Sequence, residues 1–307
     1  MVVKKEKQYI AALDLGTNTF NLVIAKNSTP FTLVLRMEKG VFLGKGGLAA
    51  KKIVPEAVER AQKVLSEYSN ILSNYELSQV KCVATEAIRN ANNAPEVLRH
   101  LEIDAPYMVE TIPGEREAEL VYKGVKSAGI LNDENCLIMD IGGGSVEFII
   151  GNRKSVLWKK SFKIGISRAL EMFPLSDPPI EEEIKKHYSF FKENLQELSP
   201  YIEHFKIKTL IGTAGSFDSW RKMIGDQDRS NPTSQLNIKD LKASIKNINS
   251  ISAQKRATIN GMEEMRIETI VPAGILVTYL LDYFNFESVF QCSYSLSEGV
   301  LWELINE

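Results

Sequence analysis

Cysteine and histidine are scarce in this 307-residue chain, with three of each. Cys82, Cys136 and Cys292 are odd in number, far apart, and set in apolar runs. That pattern offers neither a disulfide framework nor metal-ligand spacing, so reduced core thiols in a cytoplasmic protein are expected. His100, His187 and His204 show no metal spacing and are given no role. Neither sign of charge dominates, with 37 Lys+Arg against 39 Asp+Glu. A polyelectrolyte that binds nucleic acid is not expected from that balance. Long apolar runs are missing too. The run that follows the N-terminal lysines stops at Asp14, too early for a signal-peptide core or a membrane span. The stretch 270–284 is interrupted by Pro272 and Gly274 and reads as a buried helix. There is no low-complexity linker, and no membrane partner is expected.

What is present is alternation. Residues 8–13 and 20–25 read as strands joined by DLGTNT, with a third at 31–37. Residues 55–72 read as a helix, with Pro55 in its first turn and apolar residues at helical spacing. A strand at 79–84 leads into TEAIRNA, and Pro113-Gly114 precedes a second helix, EREAELVYKGVKSA. Strand, turn and strand recur at 136–150. A long helix is expected at about 180–198, then a strand at 208–212 entering the turn TAGS. The remainder reads as mainly helical. A chain of this length and hydrophobicity, 44%, has room for two domains of α/β class.

Two segments can be superimposed. AALDLGTNTFNLVIA (11–25) and LIMDIGGGSVEFIIG (137–151) share an apolar strand, Asp, an apolar residue, Gly, two small residues, Thr or Ser, and a second apolar strand. A duplicated domain explains this economically. The turns, Gly16, Thr17, Asn18 and Thr19 in one and Gly142, Gly143, Gly144 and Ser145 in the other, suit phosphate. Closely spaced amides can point at an anion, and absent side chains let its oxygens approach. Asp14 and Asp140 would repel phosphate directly, so they are expected to hold Mg²⁺ or its waters. The spacing matches neither GxGxxG nor the P-loop, so those readings fail. Glu147 follows Ser145 by two positions and should share its strand face. After Pro113-Gly114, the carboxylates Glu115, Glu117 and Glu119 are all chemically able to act as a base.

The paired hairpins resemble the superfamily of sugar and acetate kinases, heat-shock chaperone ATPases and actin. The fuller motif set resembles the exopolyphosphatase / guanosine pentaphosphate phosphohydrolase family across nearly the whole chain. It comprises LDLGTNTFNLVIA, VATEAIRNANNA (83–94), IPGEREAEL (112–120), DIGGGSVEF (140–148), IGTAGS (211–216), RIETIVPAGIL (266–276) and SLSEGVLWEL (295–304). The resemblance implies two ribonuclease H-like domains with an interdomain cleft. Residues 1–126 would form the first, with a C-terminal helix at about 296–307 packing back on it, and 127–295 the second. It implies Mg²⁺-assisted release of terminal phosphate from polyphosphate or guanosine pentaphosphate (pppGpp) by direct water attack. Glu117 matches the family's catalytic base, Arg89 its phosphate-binding arginine, and Glu147 a glutamate near the metal and water. A homodimer is the default assembly.

The chain departs from its relatives in places. Phe42 stands where relatives often carry a basic residue, leaving Arg36 or Lys45 as substitutes, and Phe217 and Trp220 enlarge the third loop. Gly212 and Gly215 match the loop that binds adenosine in the kinases, and that loop need not recognise a base here. Longer relatives carry further C-terminal domains, so short polyphosphate chains are the expected substrates. A non-catalytic sensor of polyphosphate or pppGpp and a small-molecule kinase are the rival readings.

Overall fold

The computed structural model describes residues 8–103, 107–213, 215–225 and 231–306. In chain order, the first segment contains β1 (Tyr9–Leu15), β2 (Thr19–Lys26), β3 (Leu33–Gly40), α1 (Pro55–Leu72), β4 (Leu77–Ala84), α2 (Glu86–Arg89), α3 (Ala94–Glu102), β5 (Val109–Thr111) and α4 (Gly114–Ser127). Next come β6 (Cys136–Ile141), β7 (Val146–Gly151), β8 (Val156–Phe162), α5 (Ile166–Met172), α6 (Glu181–Asn194), a 3-10 turn (Gln196–Leu198) and α7 (Ser199–His204). Then follow β9 (Thr209–Thr213), α8 (Gly215–Ile224), β10 (Thr233–Leu236), α9 (Ile238–Ser250), α10 (Ala253–Arg256), α11 (Ile270–Tyr283), β11 (Ser288–Cys292) and α12 (Leu296–Asn306). The chain divides into two compact units, Met1–Ser127 with Leu296–Glu307, and Ala128–Ser295.

The first unit is built on a five-stranded sheet in the order β3-β2-β1-β4-β5. The β1–β2–β3 meander is antiparallel, and β4 and β5 run parallel to β1. α1 forms because Pro55 fixes the φ of its first turn and Ala57, Ala61, Leu65, Tyr68 and Leu72 recur on one buried stripe. That stripe joins Leu13, Phe20 and Leu22 in one core, and the Tyr68 hydroxyl donates to the Phe20 carbonyl at 2.8 Å. α12 lies along α4 and packs on β1 and β2.

The second unit repeats the plan. Its sheet runs β8-β7-β6-β9-β11, with β10 added antiparallel at the β11 edge. β6, β7 and β8 form the antiparallel meander, and β9 and β11 run parallel to β6. The order and directions of the five shared strands match those of the first unit, the ribonuclease H-like arrangement in duplicate. α11 is buried on nearly every side, including Pro272 and Gly274. Among the described residues, no helix is long and apolar enough to cross a membrane.

Three readings of the sequence need correction. The helix expected at about 180–198 ends at Asn194, passes through the 3-10 turn, and resumes as α7. Pro200 cannot donate to residue 196 and its ring clashes with that carbonyl, so a continuous helix is interrupted. The stretch after residue 216, read as mainly helical, contains β10 and β11. β11 lies between β9 and β10 and carries the buried, hydrogen-bonded Gln291, so a plain apolar strand signal is missing. β8 and the three-residue β5 also went unread.

Candidate active site

The two glycine turns adopt one geometry. The Gly16 amide donates to the Thr19 carbonyl at 3.0 Å, and the Gly142 amide donates to the Ser145 carbonyl at 3.0 Å. The carbonyls between them are used internally. Asn18 O accepts from Val41 N and Phe42 N, both at 2.8 Å, and Thr17 O accepts from Gly44 N at 3.1 Å. In the second turn, Gly144 O accepts from Gly165 N at 3.2 Å and from Arg168 Nε at 3.1 Å. Gly143 O accepts from Ser167 N at 2.9 Å, and Gly142 O from Ile166 N at 3.1 Å. In a trans peptide the N–H points opposite to the C=O. The amides of Gly143, Gly144 and Ser145 therefore point away from α5, in a turn whose residues are buried. Gly165 is glycine for a local reason. A Cβ at Gly165 would lie 2.4 Å from the backbone of Gly143 and Gly144, so the start of α5 rests directly on the turn.

In the first unit, the C-terminal ends of β1, β4 and β5 are aligned, Leu15 with Ala84 and Ala84 with Thr111. α2 leaves β4 and α4 leaves β5, so Arg89 and Glu117 each lie about one turn beyond a strand end. Arg89 Nη1 donates to Glu117 Oε2 at 2.9 Å and to the Ile112 carbonyl at 2.8 Å, while Nη2 donates to Glu86 Oε2 at 2.8 Å. Burial works against the Arg89 cation, but the carboxylates of Glu117 and Glu86 outweigh it and push the guanidinium above its ordinary value. The three acidic candidates on α4 separate by environment. Glu117 is buried against Arg89, Glu115 is exposed, and Glu119 pairs with Arg116 and Lys123. Asp14, near the end of β1, accepts from Asn21 Nδ2 at 3.0 Å across the hairpin.

The matching row in the second unit is richer. Thr213, Asp140, Glu147 and Ser161 are register neighbours across β9, β6, β7 and β8. Ser295 Oγ donates to Asp140 Oδ2 at 2.7 Å, and Ser161 Oγ donates to Glu147 Oε1 at 2.7 Å. Glu147 thus occupies the place that the neutral Asn21 holds in the first unit. Burial pushes the Asp140 carboxyl up; the hydroxyls of Ser295 and Thr213 and the nearby Arg266 pull it back only in part. Asp140, raised by its burial, and Glu147, only 1% exposed, are register partners on adjacent strands, and a cation at Asp140 would offset the cost of burying its charge. Among the described residues no three His, Cys, Asp or Glu side chains converge on one metal position. Mg²⁺ does not need such a cage, since it binds one or two carboxylates and keeps waters and substrate phosphates as its other ligands. The donors at Asp140 fit that requirement.

The departures are also resolved. Phe42 stands at φ 51, and the basic group at this turn is Arg60, which donates to the Val41 and Phe42 carbonyls at 2.9 and 3.1 Å. Arg36 pairs with Glu298 at 3.4 Å, and Lys45 is exposed. In the third loop, a Cβ at Gly212 would lie 2.2 Å from the Phe217 ring, so that glycine makes room for a core aromatic. Phe217 and Trp220 meet edge to face in the core at 5.2 Å. The cysteines are buried and unbridged, and His187 lies in the core of the second unit. Glu86, Arg168, Thr213 and Ser295 escaped the sequence reading. Glu86, Thr213 and Ser295 lie inside quoted motifs where a signal was available, and Arg168 does not.

Fold and turns define a duplicated ribonuclease H-like α/β protein that carries a glycine turn of the same geometry in each half. The family model described as the Ppx/GppA phosphatase family matches residues 22–307, and the chain belongs to that family. The chain is 31% identical over 293 residues to a bifunctional 3-dehydroquinate synthase/phosphatase of Fusobacterium nucleatum, covering 90% of this chain and 43% of that protein. It is 24% identical to a guanosine-5'-triphosphate,3'-diphosphate pyrophosphatase of Aeromonas hydrophila, covering 96% of this chain and 59% of that one. The chain thus spans well under two thirds of either relative. The crystal structure of an exopolyphosphatase from Cytophaga hutchinsonii superimposes with a TM-score of 0.94 at 33% identity, over 97% of this chain and 98% of that one.

Proposed function

We propose that this protein is a cytoplasmic phosphoanhydride hydrolase that releases terminal orthophosphate from short inorganic polyphosphate, from pppGpp, or from both. The observation that carries the reading is the buried Glu117 carboxylate held by Arg89 at 2.9 Å, at the strand ends beside a phosphate-type turn. In this reading Glu117 accepts a proton from the attacking water. The water oxygen bonds to the terminal phosphorus as the bridging P–O bond breaks, and the bridging oxygen leaves with the shortened chain. Arg89 offsets charge that develops on the phosphoryl oxygens. In the second unit the amides of Gly143, Gly144 and Ser145, which the turn's own Gly142–Ser145 bond leaves unused, would take phosphate oxygens without adding side-chain bulk, and the Gly16–Thr19 turn is the corresponding element of the first unit. When bound, Mg²⁺ supplies charge neutralisation and orients the phosphates. Asp140 would hold it with Glu147 opposite, and Asp14 is the corresponding carboxylate of the first unit.

The test is phosphate release in Mg²⁺ from short polyphosphate, long polyphosphate, pppGpp and ATP. Wild type should release phosphate, and Glu117→Gln should lose about a hundredfold or more in kcat while still binding substrate. Full activity in Glu117→Gln would remove the base from the mechanism. Binding without any release by wild type would leave a sensor.

A further inference from the structure

Glu86 opens α2 and is only 2% exposed. A buried carboxylate is costly unless paired, and this one is paired with Arg89 Nη2 at 2.8 Å. The same guanidinium serves Glu117 and the Ile112 carbonyl through Nη1. Arg89 is therefore a bridge between two carboxylates. An arginine facing one carboxylate closes on it as a two-pronged fork. A fork closed on Glu117 would occupy the base and turn the guanidinium away from phosphate.

We infer that Glu86 is a positioning residue that anchors one edge of Arg89, so that Glu117 receives a single bond from the guanidinium and stays available to water. The inference rests on the hydrolase reading above. It gives Glu86 two separable effects. Its oxygen fixes where the guanidinium sits, which any acceptor of similar shape can do. Its charge opposes the pull of Arg89 on Glu117, which only a carboxylate can do. The other charges around α4 are committed elsewhere: Arg116 and Lys123 to Glu119 and Glu303, and Glu298 to Arg36. Glu115 is exposed. Removing the charge of Glu86 therefore leaves Arg89 to act on Glu117 with less opposition, and the carboxylate becomes harder to protonate.

The experiment compares Glu86→Ala and Glu86→Gln in the full chain, with short polyphosphate as substrate and a methylene-bridged triphosphate as a ligand that cannot turn over. Glu86→Ala should lose roughly tenfold or more in kcat, and roughly tenfold in affinity for the bridged ligand, as the guanidinium collapses onto Glu117. Glu86→Gln should recover most of both, while the acid limb of its kcat/KM profile moves to lower pH. The inference is overturned if both variants keep wild-type kcat and an unmoved acid limb. It is also overturned if their activity falls only in proportion to folded protein, measured by thermal unfolding. Calorimetric binding separates this idea from the hydrolase reading. If wild type binds the bridged ligand but hydrolyses nothing, the hydrolase fails. A loss of affinity in Glu86→Ala then still supports the anchor, and unchanged affinity sinks it.

Discussion

At the scale of single residues, the turn carbonyls are as informative as the turn amides. Arg168 bonds the Gly144 carbonyl through Nε and the Gly143 carbonyl through its own amide. Glycine peptides rotate readily, so carbonyl anchors are what keep the amides facing outward. Arg168→Ala keeps the backbone bonds and removes the charge-assisted hydrogen bond to the Gly144 carbonyl, worth about 1.5–3 kcal/mol. The expected result is a KM for short polyphosphate raised roughly five- to tenfold with kcat changed less, read by steady-state kinetics. A fall in kcat at constant KM would place Arg168 in the chemistry instead. The paired turns were legible from the sequence because their composition is local. The Glu86–Arg89–Glu117 bridge was not, because Arg89 and Glu117 are 28 positions apart and meet only through the parallel register of β4 and β5. The repeat also hid a difference: Glu147 and Asn21 hold equivalent places, yet only one adds charge opposite its aspartate.

At the scale of elements, strong periodicity was read well and short or polar strands were not. α1 carried a clean buried stripe and a proline start, whereas β5 and β10 have too few residues for any period to register. α6 shows another limit. His187 looked polar, but it lies fully buried between Phe173 and Phe191. Its Nε2 contacts the Phe173 carbonyl at 2.7 Å, so the ring nitrogen there must carry the proton, and Nδ1 has no partner among the described residues. Protonating Nδ1 would bury a second donor with no acceptor. Burial accordingly pushes the imidazole below its ordinary value. Because the folded value is depressed, the stabilising contribution is complete above the unfolded value of about 6.5 and is lost as pH falls below it and through the folded value. His187→Phe, which can pack among the same aromatics, should flatten the fall in Tm that wild type shows between about pH 7 and pH 5. Parallel Tm curves for the two proteins would refute that coupling.

At the scale of the molecule, the consequential feature is that the first unit is made from both ends of the chain. α12 approaches α4 so closely at Gly299 that a Cβ there would lie 1.9 Å from the Leu120 carbonyl oxygen. One turn further on, the buried Glu303 is held by both Arg116 and Lys123, and Lys123 also sits over the Trp302 ring at 5.6 Å. A buried carboxylate with two cations is stable only while all three are present. α4 carries Glu117 in its first turn, so the helix that bears the proposed base is packed on this side by a helix from the far end of the sequence. The fragment Met1–Ser127 should therefore contain the strands of its sheet and still unfold without a sharp transition in urea. Adding residues 296–306 behind Ser127 through a flexible glycine–serine linker should restore cooperative unfolding and raise the m-value, because the exposed faces of α4, β1 and β2 are covered again. Glu303→Ala in that linked fragment should cancel part of the gain, about 1.5–3 kcal/mol, by removing the carboxylate that ties α12 to Arg116 and Lys123, which keep Glu119 as a partner. If Met1–Ser127 alone unfolds as sharply as the linked form, α12 is an accessory to the unit. If it does not, the helix carrying the proposed base reaches its native packing only when α12 is in place.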